Sequence, residues 1–496
     1  MAFALTARER RWLALLVVLV VGVRVATLGA YPLMDTTEAR YAEIARKMLE
    51  TGDWLMPQFD YGVPFWGKPP LSTWLSALSM AAFGVNEFAA RLPSLLLLAG
   101  CGALVYALAA LRGGRDQALW TLALFAATGM VFVAAGGVMT DPALVLGTTL
   151  SMAGFWIAVH GTARVRRVAG VAFFAGLGVG LLAKGPVALV LVFVPVGAAT
   201  LWTRSWRAAW QRLPWITGSM ATFAVTAAWY WAAERASPGF LDYFLVGEHW
   251  KRFVEPGWKG DLYGSAHARA RGMIWLFWIA AALPWSLGAL AWFVRAMARE
   301  RERVRSLASD PWRAYLLLWA VTPMLFFTPA GNILVTYVLP GLPAFVLLLG
   351  ELWRPDGGAR DAEHGEREVR PAVRHAVAAA VILPVALVAA IVVLHARLET
   401  ERSHKALVRA FEQGRTEGES RLVYFPQRPH SAEFYSRGKA QRAPDAAALQ
   451  PFFDDATPDF FAMREQDLAA LPAADRARLR RVGAYGEYQL LREGPR

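Results

Sequence analysis

Long apolar runs alternate with short charged stretches along this chain. Runs of about 17–22 residues, enough to cross ~30 Å of hydrocarbon as a helix, fall at 12–30, 92–111, 118–136, 142–160, 168–184, 186–203, 214–233, 273–294, 313–328, 333–350 and 374–395. Backbone polar groups inside a bilayer must be paired within their own segment, so each run is expected to be a helix. Residues 31–91 interrupt this pattern, being too polar to cross and too long for a turn. Within them Tyr41, Ile44, Ala45, Met48 and Leu49 recur at helical spacing, with Arg40, Glu43, Arg46 and Lys47 between. That spacing predicts a helix over Glu38–Glu50, started by Asp35, Thr36 or Thr37 and stopped at Gly52. Leu71–Phe83 predicts a second, more apolar helix, too short to span and suited to the membrane surface.

Beyond residue 395 the pattern changes. Alternating runs at 421–425 and 458–463 and the segment 489–491 predict strands, and 431–436 and 467–471 predict short helices. The expected fold class is an all-α polytopic membrane protein over 1–395, carrying the 31–91 loop, followed by a small C-terminal α/β domain over 396–496. Composition supports this, with 56% hydrophobic and 18% charged residues among 496. Arg8, Arg10 and Arg11 precede the first run, which reads as an uncleaved signal anchor.

Charge sets the orientation. Arginines cluster in alternate loops: Arg8, Arg10 and Arg11; Arg112 and Arg115; Arg164, Arg166 and Arg167; Arg204, Arg207 and Arg212; and Arg295 to Arg305. The mixed-charge 351–372 loop joins them. These loops are expected on the cytoplasmic side. The 31–91 stretch, the Thr140-Asp141 turn, the 235–272 loop, the 328–337 turn and the C-terminal tail then face outward. The net charge of +13 is thus a topology signal spread over short loops, and nucleic-acid binding is a poor reading of it. The single cysteine, Cys101, lies inside an apolar run, which rules out an internal disulfide. The spans carry almost no internal charge; Arg24 and Lys184 sit near helix ends, where long side chains can snorkel. An ion-coupled transporter usually places ionisable groups near the midplane, and here the chemistry gathers at the outer face.

Six constellations stand there. Asp35 and Glu38 are acids able to orient or deprotonate an acceptor, or simply to cap a helix, and Arg40 with Tyr41 can grip a phosphate. Lys68, in an aromatic, proline-stiffened loop, suits an anionic headgroup. Asp141 either caps a helix or organises the site. Lys184 stands at a helix break. His249 and Arg252 suit a phosphate, and His249 is also a candidate ligand for a divalent metal. Tyr337 lies at an outer span end. Carboxylates, cations and aromatics gathered on one side of the membrane suit transfer from a lipid phosphate, whose leaving group needs positive charge.

These residues sit in recognisable strings: D-x-x-E-A-R-Y-A-E-I-A, G-D-W, K-P-P-L and F-G-x-N-E-F-A-A-R-L-P within 31–91, then T-D-P, L-x-K-G-P, E-H-x-x-R-F and T-Y-x-L-P. The last is V-Y-F with R-P-x-S-A-x-F-Y-S-R-G at 423–438. Together they resemble the bacterial lipid A aminoarabinose transferase (ArnT-like) family, similar in turn to protein O-mannosyltransferases, among the GT-C membrane glycosyltransferases. The resemblance implies about 11–13 membrane helices, a polyprenyl-phosphate sugar donor, and an inner-membrane enzyme with its active site and C-terminal domain in the periplasm. It implies transfer of 4-amino-4-deoxy-L-arabinose or a related sugar to lipid A. Protein O-mannosyltransfer or transfer to another envelope glycan is the alternative, and a lipid or polysaccharide transporter is the alternative from another class. Arg40, Lys68, His249 and Tyr337 are implied in the donor phosphate pocket, with Asp141 and the acidic start of the first loop at the reaction centre. Relatives often carry acids where this chain has Thr37 and Gly67.

Overall fold

The computed structural model describes residues 3–299, 301–353, 369–415, 420–454 and 458–494, which form two compact units. Most of the charged 351–372 loop lies outside the described residues. The first unit comprises Met1–Ala26, Val63–Ser72 and Arg91–Ala386, and the second Thr27–Gly62, Thr73–Ala90 and Leu387–Arg496. The polar 31–91 stretch is therefore divided, with Val63–Ser72 and Arg91 in the first unit and the rest in the second.

Each of the eleven apolar runs is helical. Among the described residues, five helices are long and apolar enough to cross a membrane. A sixth joins them if Ile274–Ala281 and Trp285–Arg299, bent by 111°, form one span. The others fall short for composition or length: Ala7–Thr27 carries a basic first turn, Val187–Trp202 has 16 residues, and Pro311–Phe327 has 17. The runs at 92–111 and 118–136 are joined through Gly114, whose φ of 80° breaks the helix Glu87–Ala126. This is the architecture of a multi-pass membrane protein.

One helical hairpin positions much of the site. Helix Asp141–His160 packs against Ala163–Lys184 through small residues. A Cβ on Gly176 would come within 2.5 Å of the Gly147 carbonyl oxygen, so glycine is what lets the backbones touch. Ser151 Oγ donates to the Phe173 carbonyl at 2.9 Å across the same seam. Because the helices run antiparallel, the first residue of one, Asp141, and the last of the other, Lys184, share one end of the hairpin.

In the second unit a five-stranded sheet runs in the order Gln441–Arg442, Leu422–Phe425, Phe460–Arg464, Tyr488–Glu493, Leu479–Tyr485. The first three strands are parallel and the last two pair antiparallel. Side chains alternate as strand geometry requires. Leu422, Tyr424 and Phe460 pack on Leu407 and Phe411 of one helix, while Val423, Phe461 and Leu491 pack on Leu449 and Phe453 of another. The expected amphipathic helix is Thr37–Thr51, and Gly52 ends it with φ 71°.

That helix is held by charge. Lys47 Nζ, fully buried, lies 2.7 Å from Glu433 Oε1 and donates to the Phe59 carbonyl at 3.0 Å. Arg46 forks onto Glu43 at 2.7 Å and reaches Glu50 at 2.6 Å. Arg428 joins Glu433 at 2.9 Å to Asp60 at 3.0 Å. Burial first, and then the Glu43 charge, push the Glu433 carboxyl up to about 7 despite Lys47 and Arg428.

Candidate active site

The first unit encloses a cavity of about 260 Å³ that joins a charged wall to an apolar one. Its polar lining includes Lys68, Asp141, Lys184, Glu248, His249, Arg252 and Tyr337, and its apolar lining includes Leu144, Val187, Leu191, Phe253 and Phe327.

Lys68 is carried by an aromatic strap. Tyr263 OH donates to the Pro64 carbonyl at 2.9 Å and accepts from Trp66 N at 2.9 Å, and its ring meets Phe65 edge-on at 4.7 Å. Trp66 Nε1 donates to Ser237 Oγ at 2.9 Å. With Pro69 and Pro70 stiffening the next turn, Lys68 has little freedom, and its Nζ donates to the Gly67 carbonyl at 2.5 Å and Glu248 Oε2 at 2.9 Å. A Cβ on Gly67 would stand 2.9 Å from the Phe65 ring, so the strap packs tightly at this glycine.

The second contribution is a π-helix, Asp242–Lys251, continued by the turn Arg252–Val254. It delivers Glu248, His249 and Arg252. Arg252 Nη1 donates to both Glu248 oxygens, at 2.9 and 3.2 Å, and pairs with Asp261 at 3.2 Å. Buried Asn332 fastens the segment, donating to the carbonyls of Arg252 at 2.6 Å and Glu255 at 2.7 Å and accepting from Gly257 N at 2.9 Å. Burial would push the Glu248 carboxyl up, but Lys68 and Arg252 outweigh it and hold it down at about 2.

The hairpin supplies the third. Lys184 Nζ donates to Asp141 Oδ1 at 2.6 Å and lies 4.8 Å from the centre of the Tyr337 ring. Tyr337, on the 3₁₀ turn Val335–Gly341, packs on Phe327 with ring centres 4.6 Å apart. Lys184 thus turns into the cavity instead of snorkelling. Arg24 does not snorkel either: it is 3% exposed, with its guanidinium 4.2 Å from the Phe132 ring centre.

His249 faces two backbone carbonyls, with Nδ1 2.7 Å from Phe244 O and Nε2 3.1 Å from Lys184 O. Burial lowers the ring's pKa, against the pull of these carbonyls. Neither nitrogen is left for a metal, so a divalent ion does not fit on His249 as it stands. No group of three or more His, Cys, Asp or Glu suited to a metal occurs among the described residues. The ring instead ties the π-helix to the end of the Lys184 helix.

The remaining expected residues, Asp35, Glu38, Arg40 and Tyr41, belong to the second unit and do not line this cavity. Asp35 accepts from Ser431 N at 3.0 Å and from Ser431 Oγ, and burial pushes its carboxyl up to about 6 against those bonds. Glu38 Oε2 accepts from Met34 N at 3.1 Å, a box-like closure of the helix start. The Arg40 guanidinium lies 5.5 Å from the Tyr41 ring centre.

The fold brings Lys68, Asp141, Lys184, His249, Arg252 and Tyr337, each a candidate from the sequence, to one cavity, and adds Glu248 and Asn332, which were not candidates. Glu248 had a signal, being an acid four residues before Arg252 on a helical segment. Asn332 had none beyond its place in a short turn between apolar runs.

Residues 10–244 match the model of the dolichyl-phosphate-mannose-protein mannosyltransferase family. Among curated proteins, one similar chain is the undecaprenyl phosphate-alpha-4-amino-4-deoxy-L-arabinose arabinosyl transferase of Erwinia tasmaniensis. It is 31% identical over 322 residues, covering 64% of this chain and 55% of the relative. Another, of the same description from Pseudomonas savastanoi pv. phaseolicola, is 32% identical over 325 residues, covering 65% and 58%. The chain thus matches little more than half the length of these relatives. Among solved structures, ArnT from Cupriavidus metallidurans bound to undecaprenyl phosphate superposes with a TM-score of 0.80 at 22% identity. The match covers 98% of this chain and 99% of that one. The likeness shows a shared fold across nearly the whole chain.

Proposed function

We propose that the chain is an ArnT-like GT-C membrane glycosyltransferase that moves a sugar from a polyprenyl-phosphate donor to an acceptor in the bacterial envelope. The donor is undecaprenyl phosphate carrying 4-amino-4-deoxy-L-arabinose or a related sugar, and the acceptor is a lipid A phosphate. The enzyme sits in the inner membrane with this cavity facing the periplasm.

One observation carries the reading. A single cavity sets Lys68, Lys184 and Arg252 beside an apolar wall of Leu144, Val187, Leu191 and Phe327. A lipid phosphate needs both, cations for its headgroup and hydrocarbon for its chain. In the reaction an acceptor oxygen attacks the anomeric carbon from the face opposite the phosphate, and the carbon–oxygen bond to the phosphate breaks with its electron pair left on the phosphate. Lys68 and Arg252 stabilise that growing charge. Asp141, a second carboxylate of the cavity beside Glu248, is held by Lys184, and it orients the acceptor. A phosphate acceptor arrives ionised, so no strong base is needed. Asp35 and Glu38, whose oxygens accept bonds from Ser431 and from Met34 N, shape the first loop.

The test is to incubate the purified protein with labelled undecaprenyl-phosphate aminoarabinose and, separately, lipid A and protein acceptors. Covalent transfer to lipid A is expected. Transfer to protein alone would move the acceptor, and movement of lipid across vesicles without any covalent product would make the protein a transporter.

A further inference from the structure

Glu248 is an acid inside a cavity proposed to bind an acid. Its side chain is 3% exposed and takes Lys68 at 2.9 Å and Arg252 at 2.9 Å. With its carboxyl held down at about 2 by those two cations against the pull of burial, it is ionised throughout the neutral range. Asp261 adds a second carboxylate 3.2 Å from Arg252 alone. The two cations that face a ligand phosphate are therefore already partly neutralised.

We propose that Glu248 trims the positive charge of the pocket so that product leaves, which makes it a specificity-determining residue for phosphodiester donor over phosphomonoester product. This rests on the lipid-phosphate reading above. Transfer forms a bond from the acceptor oxygen to the anomeric carbon and breaks the bond from that carbon to the phosphate oxygen, which keeps the electron pair. No oxidant or reductant is needed. The donor is a diester with one negative charge, and the product is a monoester whose second ionisation lies near pH 6. Above that pH the product phosphate carries twice the charge of the donor phosphate. The pocket potential acts on the phosphate it holds, so each increment of positive potential favours the monoester phosphate twice as strongly, in free energy, as the diester phosphate. Lys68 and Arg252 without a counter-ion would retain the dianion and stall turnover. Glu248 is the carboxylate that touches both.

The experiment measures binding of undecaprenyl phosphate and of its methyl diester to the full-length protein in detergent at pH 8, alongside steady-state transfer. Variants are Glu248→Gln, Glu248→Asp and Asp261→Asn. In Glu248→Gln both lipids are expected to bind more tightly, and the fold-gain for the monoester is expected to be the square of that for the diester, about 100-fold against about 10-fold. KM and kcat should fall together as release becomes limiting. Glu248→Asp, which keeps the charge, should return the ratio toward that of the unaltered protein. Asp261→Asn should shift it in the same direction by less, and it decides the matter if Glu248→Gln does not fold. Equal fold-changes for the two lipids, weaker binding of both, or no change in either would overturn the proposal. If the unaltered protein binds neither lipid, the lipid-phosphate reading itself fails, an outcome distinct from binding with an unchanged ratio.

Discussion

Lys184 Nζ lies 2.6 Å from Asp141 Oδ1 although 43 residues separate them in the chain. The hairpin between them is packed through Gly147 and Gly176, and the pair closes one end of it. Both side chains are nearly buried, at 12% and 11% exposed. Removing one partner leaves a buried charge, which costs about 3–5 kcal/mol. Lys184→Met or Asp141→Asn is therefore expected to lower thermal stability in detergent and abolish transfer. The double variant should recover stability without activity. Single variants that melt with the unaltered protein would remove the pair from this role.

Lys68→Ala and Arg252→Ala are each expected to lower kcat/KM by about 10²–10³-fold, the usual loss when one stabiliser of a developing negative charge is removed. The loss should be nearly as large in Lys68→Arg, because the proline-stiffened loop has been shaped around a compact ammonium. Steady-state transfer with the labelled donor checks both. Full activity in the two alanine variants would show that the phosphate is held elsewhere.

The glycine seam is open to test by size. Gly176→Val places a Cβ 2.5 Å from the Gly147 carbonyl oxygen, well inside contact distance. The helices must part, and the Asp141–Lys184 pair parts with them. Expected outcomes are a loss of transfer and a lower melting temperature. Gly197→Ala, in a neighbouring helix with nothing within 4 Å of its Cβ position, should change neither.

Asp35 carries a pH signature. Burial raises its carboxyl to about 6 from 3.8. The folded protein keeps this proton in a range where the unfolded chain has lost it. The contribution is thus fully present below the unfolded value and is lost as pH rises through the folded one, by about 3 kcal/mol in all. Asp35→Asn removes the ionisation. Its melting temperature relative to the unaltered protein should climb as pH rises from about 4 to about 6.5. A flat difference across that range would contradict the burial of this group.

The fold was legible wherever local pattern decided it. Apolar runs became helices because a bilayer leaves the backbone no other option, and Gly52 ended its helix because only a left-handed residue closes it there. The alternation at Leu422–Phe425 and Phe460–Arg464 read directly as strands. Pairings across the chain were not legible. Asp35 and Ser431 are 396 residues apart, and nothing local to either string marks the bond. The same holds for Lys47 and Glu433: the amphipathic pattern treats lysine as a solvent-facing residue, whereas here a partner carboxylate lets it be buried. The site itself was half legible. T-D-P and L-x-K-G-P both looked like outer helix ends, which is what brought Asp141 and Lys184 together. Glu248 escaped because an acid is not sought among groups meant to grip a phosphate.

The most direct measurement is binding of undecaprenyl phosphate compared with undecaprenol, by native mass spectrometry of the purified protein and its Lys68→Ala variant. The unaltered protein is expected to prefer the phosphorylated lipid by at least about tenfold, roughly one charge-assisted contact, and Lys68→Ala is expected to lose most of that preference. Equal binding of the two lipids by the unaltered protein would contradict a phosphate site formed by Lys68, Lys184 and Arg252.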